Sequence, residues 1–142
     1  MIKICFVCTG NTCRSIMAER LMKKKLKSLK IQDVLVCSKG LNCNGENITD
    51  NTKAVLKKHK ALSSNRKAVK LKKIDKDTLY IVMTEKMKEK VNSSKVITMK
   101  SLLGQDVLDP FGQNLEVYME TASEIIIGID RLIEKIIMWR EK

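Results

Sequence analysis

The chain has 142 residues, 44% of them hydrophobic, and carries twenty-eight Lys and Arg against sixteen Asp and Glu, a formal net charge of +12. That length suits one compact domain spanning residues 1–142, and no stretch approaches the eighteen apolar residues of a membrane span or shows the pattern of a secretory signal, so a membrane partner is not expected and a cytoplasmic protein is. Five cysteines are an odd number and point away from a disulfide scaffold, while the basic surplus is mostly lysine with few aromatics interleaved, the pattern of solvated helix faces rather than of a nucleic-acid-reading surface.

Residues 2–7 form a short apolar, β-rich run, as expected of a central strand buried on both faces. Residues 15–29 change period, with Met17, Leu21, Met22, Leu26 and Leu29 at helical spacing opposite lysines. A second strand is predicted over 34–37, and 38–47, with Gly40 and Gly45, reads as a loop. A helix follows over roughly 50–60. Residues 79–83 give a third strand that ends at Thr84, whose hydroxyl suits the N-cap of a short helix over 85–91; 96–98 is a fourth, weaker strand. Pro110, Gly104 and Gly112 mark 102–114 as a surface loop. From 115 to 139 a stripe of Tyr118, Ala122, Ile125, Ile126, Ile129, Leu132, Ile133, Ile136 and Ile137 predicts a long packed helix, in which Gly128 costs about 1 kcal/mol relative to alanine. Strands alternating with helices imply an α/β fold with right-handed crossovers, a parallel sheet and ligands beyond the carboxyl ends of the strands.

Cys8 stands at that end of the first strand, and Thr9-Gly10-Asn11-Thr12-Cys13 separates it from Arg14. A loop between a buried strand and a helix, aided by Gly10, can curl its backbone N–H groups into a nest for a dianion. A thiol at the mouth of such a nest, beside a helix N-terminus and an arginine, is favoured as the thiolate. The planar fork of Arg14 matches two equatorial oxygens of a phosphoryl group, and Ser15 is placed to steady the thiolate. Thiol and fork together describe phosphoryl transfer to cysteine. Such a reaction on a poor leaving group needs a general acid, for which Asp109 in the sequence Asp109-Pro110-Phe111-Gly112 is the candidate and Asp106 the rival.

The other thiols read differently. Cys5 and Cys8 lie three residues apart in one strand, about 10 Å, too far for a disulfide, so Cys5 is a buried hydrophobe. A curled loop brings Cys13 near Cys8, as a redox partner or as packing. Cys37 and Cys43 admit a dithiol, and with one histidine, His59, read as a surface residue at a helix end, no metal or other cofactor is expected.

CTGNTCRS after the first strand and DPFG before the last helix resemble the low-molecular-weight phosphotyrosine phosphatase family. The resemblance runs the full chain: Cys37-Ser38-Lys39-Gly40 stands where that family often has a Ser-Ala-Gly turn, and 79–84 where it has a strand ending in Met-Thr. It implies a three-layer, phosphotyrosine protein phosphatase I-like fold, a four-stranded parallel sheet of order 2-1-3-4 flanked by helices. It further implies Cys8 as nucleophile, residues Thr9, Gly10, Asn11, Thr12, Cys13, Arg14 and Ser15 as phosphate-binding loop, Arg14 as phosphate binder, Asp109 as general acid then base, and Asn11 and Ser15 as orienting residues. No metal is implied. Thr12, where tyrosine-directed members carry an aliphatic residue, and Phe111-Gly112, where they carry two aromatics, resemble the protein-arginine phosphatase branch. Ile16, Lys39 and Gln113 depart from the common pattern, and Lys39 is expected to alter charge near the pocket.

The expected partners are thus phosphorylated proteins, with phosphate or other oxyanions in the loop and phosphoarginine favoured over phosphotyrosine. A thiol-dependent arsenate reductase, with Cys37 and Cys43 as relay, and a basic nucleic-acid-binding module are the competing readings.

Overall fold

The computed structural model describes residues 1–61 and 66–141. Strand β1 (Ile2–Cys8) leads into helix α1 (Arg14–Ser28), β2 (Val34–Gly40), α2 (Asp50–Lys58) and β3 (Thr78–Val82). A 3-10 helix (Glu85–Lys90), β4 (Val96–Thr98), α3 (Met99–Leu103) and α4 (Leu115–Arg140) complete the chain. The four strands are parallel, ordered β2-β1-β3-β4 and flanked by helices. β1 runs between β2 and β3 and is buried from Ile4 to Cys8, which explains its continuous apolar run: neither face meets water. Among the described residues no helix is long and apolar enough to cross a membrane.

Helix ends follow from local chemistry. The hydroxyls of Thr49, Thr84 and Thr98 and the side-chain oxygen of Asn114 each accept the backbone N–H three residues on, capping α2, the 3-10 helix, α3 and α4. The Thr84 cap is the one the sequence predicts. α1 packs on β1, β2 and α4, and α4 also contacts α2 and α3. α4 buries Tyr118, Ala122, Ile125, Ile129, Leu132, Ile133 and Ile136. Two members of the expected stripe lie at its margin: Ile126 is only partly buried and Ile137 is exposed.

The remaining corrections concern edges. β2 runs three residues beyond the predicted stop at 37, because Ser38, Lys39 and Gly40 pair with Phe6, Val7 and Cys8. Residues 102 and 103 belong to α3, a helix of 5 residues too short to leave a periodic signal. It seats Met99 under Gly128, where an added Cβ would come within 2.5 Å of the Met99 Cε. Gly128 is thus a point of helix contact rather than a tolerated defect. His59 is the C-cap of α2 and half-buried rather than a free surface residue.

Candidate active site

The carboxyl end of β1 delivers Cys8 to the floor of a cavity of about 410 Å³. Residues Thr9 through Arg14 form its floor, Asp109 and Phe111 one wall, and Glu46, Asn47 and Thr49 another. The structure therefore brings together Cys8, the loop residues Thr9 to Arg14 and Asp109 from segments about a hundred residues apart, while Ser15 lies buried outside the lining. The Cys8 thiol is hydrogen-bonded to the Ser15 hydroxyl at 2.9 Å and accepts the Asn11 backbone N–H at 3.2 Å.

The loop is shaped by where its backbone groups go. Its carbonyls are taken from outside: Cys8 O accepts from Leu41 N, Thr9 O from Asn42 N, Thr12 O from Thr49 N and the Thr52 hydroxyl, and Cys13 O from Met17 N. Among the described residues, the N–H groups of Thr9, Gly10, Thr12, Cys13 and Arg14 find no acceptor within the protein. Free backbone donors just ahead of a helix N-terminus are suited to an anion. The left-handed residue that turns the loop is Asn11, at φ 53°, and not Gly10, whose φ is not positive. Asparagine is among the side chains that tolerate this region.

Asn11 is fully buried and makes four side-chain hydrogen bonds. Its amide donates to the Ser15 hydroxyl at 2.7 Å and the Ser38 hydroxyl at 3.0 Å, and its oxygen accepts from Arg66 Nη1 at 3.0 Å and Val69 N at 2.9 Å. Behind it the Ser38 hydroxyl donates to the buried Glu19 carboxylate at 2.7 Å. Arg66 Nη2 donates to the Ser38 carbonyl at 2.7 Å and stands 3.5 Å from the same carboxylate. The chain Cys8, Ser15, Asn11, Ser38, Glu19 is thereby fixed by side chains from α1, β2 and the segment before β3.

Arg14 is 4% exposed. Its Nη1 donates to the Val107 carbonyl at 2.9 Å, and its Nη2 lies 3.8 Å from the Asp109 carboxylate. This aims the fork toward the loop and binds it to the Asp109 segment. Asp109 itself is exposed at the mouth, with one oxygen accepting the Phe111 N–H at 3.1 Å. The rival Asp106 accepts the Glu85 N–H at 2.9 Å and does not line the cavity. Phe111 is 66% exposed and is the only aromatic lining the cavity among the described residues.

Cys13 opens on the same cavity, its thiol against the hydroxyls of Thr49 at 3.5 Å and Tyr118 at 3.4 Å. Burial, reinforced by that contact with Cys13, pushes the Tyr118 hydroxyl up to about 12. The other cysteines part company. Cys37 projects from one face of β2, whereas Cys43 Sγ lies 2.8 Å from where a Gly40 Cβ would stand, on the opposite face. The expected Cys37–Cys43 dithiol is therefore not formed, and the relay that an arsenate reductase would need is lost. Burial, then the charges of Glu46 and Cys8, raise the Cys43 thiol above its ordinary range. Lys39 does not line the cavity but points, like Cys37, to a separate groove.

Sequence reasoning missed Arg66, Glu19, Thr49, Thr52 and Glu46. Thr49 carries a local signal, a threonine at the N-cap of a helix, and Thr52 carries none. Arg66 and Glu19 carry none, since they meet only when the β1–β2 pairing sets Ser38 beside α1 and the chain between β2 and β3 brings Arg66 back to it.

The family profile described as low molecular weight phosphotyrosine protein phosphatase matches residues 3–139. A protein-arginine-phosphatase of Geobacillus stearothermophilus is 36% identical over 146 residues, covering 94% of this chain and 95% of the relative. Among solved structures, the low molecular weight protein tyrosine phosphatase of T. tengcongensis superposes with a TM-score of 0.86 at 36% identity, covering 95% of this chain and 99% of that one. The YwlE arginine phosphatase of Geobacillus stearothermophilus superposes with a TM-score of 0.85 at 34% identity, covering 99% and 96%.

Proposed function

The chain belongs to the low molecular weight phosphotyrosine protein phosphatase family, and from that premise we propose that its substrate is phosphoarginine in proteins, with residues 1–142 acting as one catalytic domain. As a member of that family it is a cysteine-dependent phosphoprotein phosphatase. In this reading the phosphoryl dianion lies in the loop formed by Thr9, Gly10, Asn11, Thr12, Cys13, Arg14 and Ser15, held by the free N–H groups and by two hydrogen bonds from Arg14. The Cys8 thiolate attacks phosphorus, the P–N bond breaks, and Asp109 gives its proton to the departing guanidine nitrogen. Water then attacks the cysteinyl-phosphate, Asp109 takes back a proton, and the S–P bond breaks with Ser15 steadying the thiolate. Asn11 orients Ser15, and Cys13 is the thiol placed to trap an oxidised Cys8. Phosphate and related oxyanions occupy the same loop.

The observation that carries the choice of substrate is the lining of the cavity. Thr12 lies in the floor, one aromatic stands in the wall, and two carboxylates, Asp109 and Glu46, share the mouth. A planar guanidinium gains charge-assisted hydrogen bonds from such a mouth that a phenyl ring does not. The similarity to a protein-arginine-phosphatase supports the same reading. Phosphotyrosine is the second reading, favoured by the equally similar tyrosine phosphatase structure. Phosphate release from phosphoarginine and phosphotyrosine peptides, measured side by side, tests it. The expected result is a higher kcat/KM for phosphoarginine, reversed or levelled in Thr12→Ile, with Cys8→Ser inactive on both and still binding phosphate. A preference for phosphotyrosine in the unaltered protein overturns the substrate, and turnover by Cys8→Ser overturns the mechanism.

A further inference from the structure

The sheet holds a second thiol pair away from the phosphate loop. β1 and β2 pair in a register that sets Cys5 directly opposite Cys37. Paired residues of neighbouring strands project from the same face and stand about 4.7–4.9 Å apart, inside the ~4.4–6.8 Å Cα separation that a disulfide spans. Cys5 is buried and Cys37 is exposed. Both line a groove of about 380 Å³ whose walls include Lys39, Lys73, Asp75 and Tyr80. One thiol can thus be reached by a small solute, and the other waits behind it.

The two thiols differ in chemistry as well as access. The neighbouring Cys5 thiol, with the charge of Lys39, outweighs burial and the charge of Glu19 and lowers the Cys37 thiol to about 7. Cys5 moves the opposite way, because the neighbouring Cys37 and then burial favour the protonated form. The pair is thus a reachable, more acidic thiol beside a protonated partner, the division of labour between an attacking and a resolving thiol.

We propose that Cys5 and Cys37 are a hydroperoxide-sensitive dithiol that closes to a cross-strand disulfide, a modification site separate from Cys8. The Cys37 thiolate attacks the O–O bond of the hydroperoxide, takes one oxygen as a sulfenic acid, and releases the other as an alcohol, or as water from hydrogen peroxide. With Cys37 now neutral, the charge that holds the proton on Cys5 is gone. The Cys5 sulfur attacks the sulfenic sulfur, the S–S bond forms, the S–O bond breaks, and hydroxide leaves with the Cys5 proton as water. The dithiol gives two electrons and the O–O bond is reduced. A small-molecule or protein thiol reverses the step by exchange.

The test uses the full chain carrying Cys8→Ser, so that Cys8 does not consume oxidant. The protein is treated with one equivalent of hydrogen peroxide, capped with N-ethylmaleimide, and digested with trypsin without reductant. The expected product joins peptide 4–14 to peptide 31–39, two hydrogens lighter than their sum, with fragmentation assigning the bond to Cys5 and Cys37 and dithiothreitol releasing it. In Cys5→Ala of the same background, dimedone labels Cys37 as the persisting sulfenic acid. Should Cys5→Ala fail to fold, Cys37→Ser, a change at an exposed position, supplies the second arm: Cys5 then stays reduced. The proposal is overturned if Cys37 remains fully alkylable by maleimide after peroxide, or if it pairs with Cys13, Cys43 or another molecule instead of Cys5.

Discussion

Replacing Asn11 separates two contributions that the loop otherwise combines. Asn11→Gly removes four hydrogen bonds and keeps a residue at ease at φ 53°. Each bond is worth about 0.5–1.5 kcal/mol net, giving about 2–6 kcal/mol in all. The lower half applies, because Ser38 keeps Glu19, Arg66 keeps the Ser38 carbonyl, and the Val69 N–H belongs to an exposed residue that water can serve. The expected loss is about 2–4 kcal/mol. Asn11→Ala removes the same bonds and adds a Cβ in the left-handed region, costing about 1 kcal/mol more than glycine. Urea unfolding of the three proteins reads both differences, and turnover of an aryl phosphate reads the third consequence. Ser15 loses the amide that orients it, so kcat falls by about tenfold while inorganic phosphate still binds as a competitive inhibitor. The reasoning fails if the glycine variant lies within about 0.5 kcal/mol of the parent, the scatter of an inert surface change, or if alanine proves as stable as glycine.

Gly40→Ala places a Cβ within 2.8 Å of Cys43 Sγ, 2.9 Å of the Thr9 carbonyl and 3.0 Å of Asn11 Cβ, an overpacking worth about 1–3 kcal/mol; it should weaken phosphate binding as well as stability, and unchanged phosphate inhibition would show that the loop does not rest on that strand end. Glu46→Gln should raise KM for phosphoarginine peptides about two- to fivefold, the worth of an exposed ion pair, and leave aryl phosphate turnover alone; an equal effect on both would remove the carboxylate from substrate choice. For Cys37 the thiolate is the reactive form, so its alkylation by iodoacetamide should be slow in acid and climb through a midpoint at about 7. Cys5→Ala removes the neighbouring thiol that lowers it, and the midpoint should then rise; a midpoint in the ordinary thiol range in the unaltered protein would refute the assignment.

What the sequence discloses here is what neighbours in the chain decide. The short apolar β1 run, the periodic α1 and α4 faces and the Thr84 cap are local, and each is found where expected within a residue or two. Cys8 and Arg14 were legible because the same loop joins strand to helix. The misreadings share a cause in pairing across distance. β2 outlasts its apolar run since β1 offers Phe6, Val7 and Cys8 as partners for polar Ser38, Lys39 and small Gly40. Gly10 looked like the permissive residue, yet Asn11 takes the strained angle because Ser15, Ser38, Arg66 and Val69 all bind it there. Tyr118 showed as one apolar position in a stripe, and only packing brings its hydroxyl to Cys13.

The anion site is written in the direction of peptide bonds, and this decides which substitutions can abolish it. Four of the loop's N–H groups, those of Thr9, Gly10, Cys13 and Arg14, follow carbonyls that are held elsewhere, those of Cys8, Thr9 and Thr12 by Leu41, Asn42, Thr49 and Thr52 and that of Cys13 by Met17. No single side chain supplies the donors, so removing a reactive one, Cys8 included, leaves the cradle standing. Changes that reorient the peptides act differently. Thr52→Val deletes the hydroxyl that holds the Thr12 carbonyl at 3.0 Å and leaves only the 3.3 Å bond from Thr49 N. The Thr12 peptide, and with it the Cys13 N–H, is then freed in the lining of the cavity. A threonine on α2 that does not line the cavity is therefore tied to the same loop as Arg14, which does, through the backbone they share.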